Sequence, residues 1–114
     1  RVARVADVLL VWGSYATSYV EAARAERPDL TAVAFASQAD LAAYLRRDAR
    51  VGDLILLKGY WSDHLSRVVY EQFGEVGCRR DFCTRVWLCD ECPKLGFRPS
   101  PDVPTRLLGQ LRRG

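Results

Sequence analysis

Cys78, Cys83, Cys89 and Cys92 are all the cysteines of the chain, and they stand in one short segment as C-x4-C-x5-C-x2-C. Four thiolates this close in sequence can surround one Zn²⁺ tetrahedrally. The metal offsets their mutual repulsion and holds together a segment too small to bury a core of its own. Arg79, Arg80 and Arg85 lie among them and offset the negative charge left on a four-thiolate site, with Phe82 and Trp87 as a small apolar patch beside it. Two other chemistries fit four cysteines. A pair of disulfides requires an oxidising compartment. An iron–sulfur cluster is suggested by Cys89-Asp90-Glu91-Cys92-Pro93, which is like the end of a ferredoxin-type run, although the x4 and x5 gaps do not match that compact spacing.

A second group of candidates precedes the cysteines. The apolar run Leu54 to Leu57 ends in Lys58-Gly59 and is followed by Ser62 and His64. A lysine at the end of a strand, a glycine that lets backbone approach a ligand, and a helix starting near Asp63 together make a place for phosphate or carboxylate. His64, in the first turn of that helix, can donate to an anion or titrate. Lys58, Gly59, Ser62 and His64 are thus the candidate substrate-binding residues. The plain alternatives are a snorkelling, solvated Lys58 and an exposed His64. There is no Gly-x-x-x-x-Gly-Lys-Ser/Thr loop and no acidic cluster suited to Mg²⁺, so no catalytic residue is assigned.

The elements that must position these residues follow from the pattern of apolar side chains. With 114 residues, 49% hydrophobic and 27% charged, one domain with a modest core is expected. Ala6 to Trp12 and Thr31 to Ala36 predict strands. The segment after Ala16 predicts a helix with Tyr19, Val20 and Ala23 inward, and Ser37 is the expected N-cap of a second, with Leu41, Tyr44 and Leu45 on one face. Gly52-Asp53 leads into a third strand at Leu54 to Leu57, the most hydrophobic of the three and so expected at the centre of a parallel sheet. Ser62 is expected to cap a helix with Leu65, Val68, Val69 and Phe73 inward, stopped by Gly74. Three βα units imply right-handed crossovers and ligands at the carboxyl ends of the strands. The expected fold class is therefore α/β: a Rossmann-like three-layer domain with a mainly parallel sheet and helices on both faces, plus a small C-terminal four-cysteine zinc lobe. The expected division is 1–75 for the α/β domain, 76–98 for the zinc lobe and 99–114 for a linker with a short terminal helix through Leu107, Leu108 and Leu111.

The segment RVGDLILLKGYWSDHLSRVV is similar to the C-terminal domain of Mur ligases, especially the D-alanyl-D-alanine-adding ligase. That family's pattern runs PGD, apolar residues, KGS and then a helix of similar apolar rhythm. The arrangement matches from Ala6 to about Phe73, and the motif at Gly52-Asp53, Lys58-Gly59 and Leu65, Arg67, Val68 and Val69. Tyr60 stands where the family has Ser or Thr, with Ser62 close by, and the cysteine segment looks like an extension found in a Mur-ligase-like subgroup. The resemblance implies a domain that closes over an ATP-binding central domain and helps position an amino-acid or dipeptide substrate for amide formation, as in peptidoglycan biosynthesis. ATP and Mg²⁺ would then be held by the rest of the parent ligase. Its N-terminal and central domains would be the partners, and an anionic small molecule or peptide the substrate. This chain alone is expected to be inactive.

A different class of function is a zinc-stapled module that binds nucleic acid through Arg79, Arg80, Arg85, Lys94 and Arg98, with Trp87 or Phe97 stacking. The formal charge of +3 weighs against it. A small redox protein using the thiols is a third. No membrane span and no leader is read, which makes a cytoplasmic location the expectation. Because the sequence opens at Arg1 and contains no methionine, an excised domain or processed piece is expected.

Overall fold

The structure, a computed structural model, describes residues 1–86 and 88–104. Trp87 and the expected terminal helix through Leu107, Leu108 and Leu111 lie outside the described residues. The chain forms two compact units, Arg1–Leu41 and a second beginning at Ala42.

In the first unit the sequence pattern is realised closely. A short helix α1 (Val2–Val5) precedes strand β1 (Val8–Trp12), helix α2 (Ala16–Glu26) and strand β2 (Thr31–Phe35). The strands pair in parallel, with Val8 opposite Thr31 and Trp12 opposite Phe35. Val20 and Ala23 of α2 pack with Ala3, Leu30 and Ala32, and with the half-buried Leu9, Val11 and Ala34. The β-branched and aliphatic runs thus form a ladder whose inner face α2 covers. Tyr19 is exposed instead of inward, because the covered stripe of α2 is narrow and falls on Ala16, Val20 and Ala23. Arginines close the unit: Arg27 donates to the carbonyls of Ala3 and Ala6 (3.1 and 2.7 Å), and Arg24 to that of Ala32 (2.6 Å). Helix α3 (Gln38–Asp48) follows. Its first turn is capped as the sequence predicts, the Ser37 hydroxyl accepting the Asp40 N–H at 3.1 Å.

The second unit departs from the expectation at its start. Gly52 turns the chain with φ +95°, and Asp53 closes the turn by accepting the Arg50 N–H at 2.8 Å. Leu54 to Leu57 then form no strand, and Leu54 and Leu56 are 98% and 85% exposed. The apolar composition of the run is strand-like, but a strand exists only where a neighbouring edge supplies its hydrogen bonds, and none does so among the described residues. Among the described residues the predicted third parallel strand is not formed, and the sheet they show does not extend to a three-layer Rossmann-like one. What stands is a small mixed α/β architecture: a two-stranded parallel sheet, helices, and a short antiparallel pair, β3 (Gly74–Glu75) with β4 (Arg98–Pro99).

The helix expected from Ser62 is also divided. Trp61–Asp63 form one 3₁₀ turn, with the Tyr60 N–H bonded to the Asp63 carboxylate at 2.8 Å. His64 then takes the left-handed conformation (φ 50°, ψ 48°), and α4 (Ser66–Glu71) begins only after it, with Leu65 as its N-cap. Ser62 is not the cap. Gly74 does not stop the helix, which ends at Glu71. A Cβ at Gly74 would collide with the Arg98 carbonyl oxygen, so the glycine serves the close approach of β3 to β4. Val68, Tyr70, Val76, Cys89 and Leu95 are buried, and the last four form one cluster with the half-buried Cys78 and Phe97. The core thus runs across the expected 75/76 boundary, and the cysteine segment shares it with α4. Among the described residues no helix is long and apolar enough to cross a membrane.

Candidate functional site

The four cysteines, 14 positions apart at most by their numbers, line a single pocket together with His64, Arg67, Arg85 and Leu95. Local structure explains how a segment with so little regular secondary structure reaches this arrangement. The Gly77 and Cys78 N–H groups both donate to the Leu95 carbonyl (2.9 and 3.1 Å), which fixes the start of the segment against its end. Cys89–Glu91 form a 3₁₀ turn in which the Cys92 N–H donates to the Cys89 carbonyl at 3.1 Å, bringing the Cys89 and Cys92 side chains to one side. Gly96, at φ +59°, allows the return of the chain past Gly77.

Beneath the thiols lies a buried guanidinium. Arg67 is 5% exposed. It donates to the carbonyls of His64 and Asp63 (both 3.3 Å) and of Arg80, and its Nη1 is 3.6 Å from Cys78 Sγ. A buried cation persists only where its donors are used and a negative partner is near. Here three carbonyls and a thiol provide that setting. The effect on the thiols is uneven. Burial pushes the Cys78 thiol up, but the Arg80 backbone donor and the Arg67 guanidinium outweigh it and hold Cys78 below the usual thiol range. Burial raises the Cys89 thiol, and its neighbours Cys78 and Cys92 add to the rise, against the Ser66 hydroxyl and Arg67. The two thiols are thus shifted in opposite directions, Cys78 toward and Cys89 away from ionisation.

All four cysteines are free thiols. Their donor chemistry suits a soft divalent ion, four thiols lining one pocket with a buried imidazole and a guanidinium beside them. As they stand, no group of three or more His, Cys, Asp or Glu side chains among the described residues is arranged to hold an ion.

The candidate substrate residues are not gathered in this way. Lys58 and Gly59 are exposed, and Ser62 is half-buried in the 3₁₀ turn. A Cβ at Gly59 would meet the Asp63 carboxylate and Leu65 at 2.7 Å, so the glycine is explained by its own turn. The expected helix N-terminus at Asp63 is absent, since α4 starts at Ser66 and has only six residues, and the anion-binding argument from its dipole falls with it. His64 is turned away from this group: it is 9% exposed, with Nδ1 3.5 Å from Cys89 Sγ. Arg67, which the sequence pattern counts only as part of the helix rhythm, is the buried pocket residue that pattern misses. No protein-family model, no curated protein and no solved structure matches this chain.

Proposed function

We propose that this chain is a zinc-stapled substrate-binding domain of a Mur-ligase-like, ATP-dependent amide-forming ligase, inactive alone. The observation that carries the zinc half is the convergence of Cys78, Cys83, Cys89 and Cys92 on one pocket over the buried Arg67. Zinc bound there would cross-link the Cys89–Glu91 turn to the irregular Cys78–Cys83 stretch, a structural role that needs no open coordination position. The ligase half rests on the sequence resemblance, supported by the parallel βαβ order of the first unit and by an exposed Lys58-Gly59 loop. On this reading Leu54 to Leu57 become the third strand of a Rossmann-like three-layer sheet in the assembled cytoplasmic enzyme. Their exposure supports it, because an apolar run left in water gains from being covered.

Within the parent enzyme, ATP and Mg²⁺ belong to the central domain. This chain would contribute recognition of an anionic amino-acid or peptide substrate and closure of a water-poor cleft, in which an acyl-phosphate lasts long enough to meet an amine. The deciding experiment is steady-state kinetics of Lys58→Ala in the full-length ligase, beside the exposed control Arg47→Ala. Loss of one charge-assisted contact weakens substrate binding by about 1.5–3 kcal/mol. Kinetics equal to those of the control would remove Lys58 from the site. ATP hydrolysis by this chain alone, sensitive to Lys58→Ala, would overturn the division of labour.

One observation favours a second reading, nucleic-acid binding by the same zinc-stapled unit. Arg79, Arg80, Lys94 and the aromatic Phe82 are all exposed, a basic and aromatic combination suited to single strands. Affinity for an oligonucleotide that falls steeply with salt would support it, and salt-insensitive binding of nucleotide or small peptide would favour the ligase reading.

A further inference from the structure

The backbone of a single residue separates two helical stretches of the second unit. Trp61–Asp63 form a 3₁₀ turn, and α4 runs from Ser66 to Glu71. Of the two residues between them, Leu65 is already right-handed (φ −64°, ψ −12°), and only His64 is left-handed (φ 50°, ψ 48°). His64 is the one non-glycine residue among those described with positive φ, a conformation that an L side chain adopts at a cost. Nothing else in the sequence interrupts a helix here, since no glycine or proline stands between Gly59 and Gly74. The start of such a helix is already built: the Asp63 carboxylate accepts the Tyr60 N–H at 2.8 Å, the bond that runs from the third helical position back to the N-cap.

Tertiary contacts hold the break. The His64 ring is buried, with Nδ1 and Cys89 Sγ sharing a hydrogen bond at 3.5 Å, and Trp61 meets the ring edge-on with centroids 6.3 Å apart. Arg67 takes the carbonyls that an unbroken helix would use. Its side chain donates to Asp63 and His64 (both 3.3 Å), whereas in an α-helix those carbonyls accept the backbone N–H groups of Arg67 and Val68. Here these two N–H groups bond one residue later, to His64 at 3.3 Å and Leu65 at 3.0 Å. The Leu65 and Ser66 N–H groups have no backbone acceptor among the described residues. The broken state is also not fully satisfied, because His64 Nε2 is buried without a hydrogen-bond partner.

We propose that His64 is the hinge of a conformational switch: with its ring seated against Cys89 the helix is broken, and when the ring leaves that seat His64 turns right-handed and Trp61–Glu71 becomes one helix. Whatever engages the Cys89 sulfur elsewhere releases the ring. The Leu65 N–H then donates to the Trp61 carbonyl and the Ser66 N–H to that of Ser62. The pocket lined by the four cysteines loses its imidazole, and the exposed Lys58-Gly59 stretch, which joins the turn at Tyr60, is carried to a new position. A few hinge dihedrals of this kind are enough to open and close a site. The consequence for Lys58 as a substrate residue rests on the ligase reading above, and the switch itself does not.

Two substitutions bias the hinge in opposite directions, because glycine accepts a left-handed φ freely and alanine favours the helix. NMR of the full chain reads the result through Cα shifts from Trp61 to Glu71 and amide exchange at Leu65 and Ser66. His64→Gly is expected to keep the break, with both amides exchanging as fast as in wild type. His64→Ala is expected to give helical shifts throughout and to slow both amides by about tenfold or more, the population change that one left-handed residue commands. Cys89→Ala, with His64 intact, should slow the same two amides, and it decides the matter if His64→Ala does not fold. Wild-type exchange in either of these variants, once folded, would overturn the proposal. A His64→Gly chain as helical as His64→Ala would overturn it as well, since the two differ in backbone preference alone. No readout uses a substrate, so a failed ligase reading leaves the switch standing, and Lys58→Ala kinetics test that reading separately.

Discussion

The cluster of Ala3, Val20, Ala23, Leu30 and Ala32 is made of aliphatic side chains alone, whereas that of Tyr70, Val76, Cys89 and Leu95 has a thiol at its heart, with Arg67 and His64 buried nearby. The first unit buries its apolar surface through two paired strands and a covering helix, and nothing in that core titrates. Among its described residues the second has most of α3, a six-residue helix, two two-residue strands and two 3₁₀ turns, and its cysteine segment is held by few backbone ladders. Polar groups that would be costly in the first core are therefore used in the second as cross-links, and the stability of the two regions should answer to different agents.

Metal removal is expected to break this comparison most widely. Chelation should speed amide exchange at Gly77, Cys78 and Leu95, whose bonds close the cysteine segment, while Val8–Trp12 and Thr31–Phe35 keep their protection. Structural zinc is worth about 10–16 kcal/mol in finger peptides, and less is expected here because Tyr70, Val76 and Leu95 retain contacts without it. Uniform loss of protection would show the two regions to be one cooperative structure. A native protein with no zinc and its thiols paired as disulfides would end the metal reading.

Two leucines sharpen the contrast. Leu30→Ala and Leu95→Ala each remove a buried side chain and should each cost about 2–5 kcal/mol in denaturant melts. Only Leu95→Ala should also weaken zinc, because Leu95 lines the cysteine pocket. Equal zinc affinity in the two variants would argue that the pocket wall does not set the metal site. Arg67→Met is expected to destabilise by about 1.5–3 kcal/mol through loss of charge-assisted bonds to three carbonyls and Cys78. An unchanged melt would mean that those carbonyls find water equally well.

The smallest effect is electrostatic. Burial raises the Glu71 carboxyl above its usual range, against the lowering by Arg79, Arg67 and Arg46. A carboxyl raised on folding favours the folded state below its unfolded pKa, and that advantage is lost as pH rises through the folded value. Glu71→Gln should therefore gain relative to wild type as pH increases over that window, by less than about 1 kcal/mol because solvent screens the site. A gain that grows toward acid pH would reverse the sign and the account.

The sequence by itself determined the local elements whose signals are short-range: the β1 and β2 runs, the Ser37 cap, and the grouping of four cysteines. Each depends on neighbours within a few positions, where side-chain period and capping chemistry act directly. The fate of Leu54 to Leu57 was not legible, because an apolar run states what it can bury but not whether a strand edge lies alongside. Gly59 and Gly74 carried the same ambiguity, since a missing Cβ serves a ligand, a helix end or a close chain crossing equally well until the opposing atom is known. His64 and Arg67 were decided only by tertiary structure. Their places against Cys89 and Cys78 depend on a left-handed turn and on segments 25 and 11 positions away, and a buried charged side chain has no local signature, because its burial is made tolerable by partners that only the folded chain brings near.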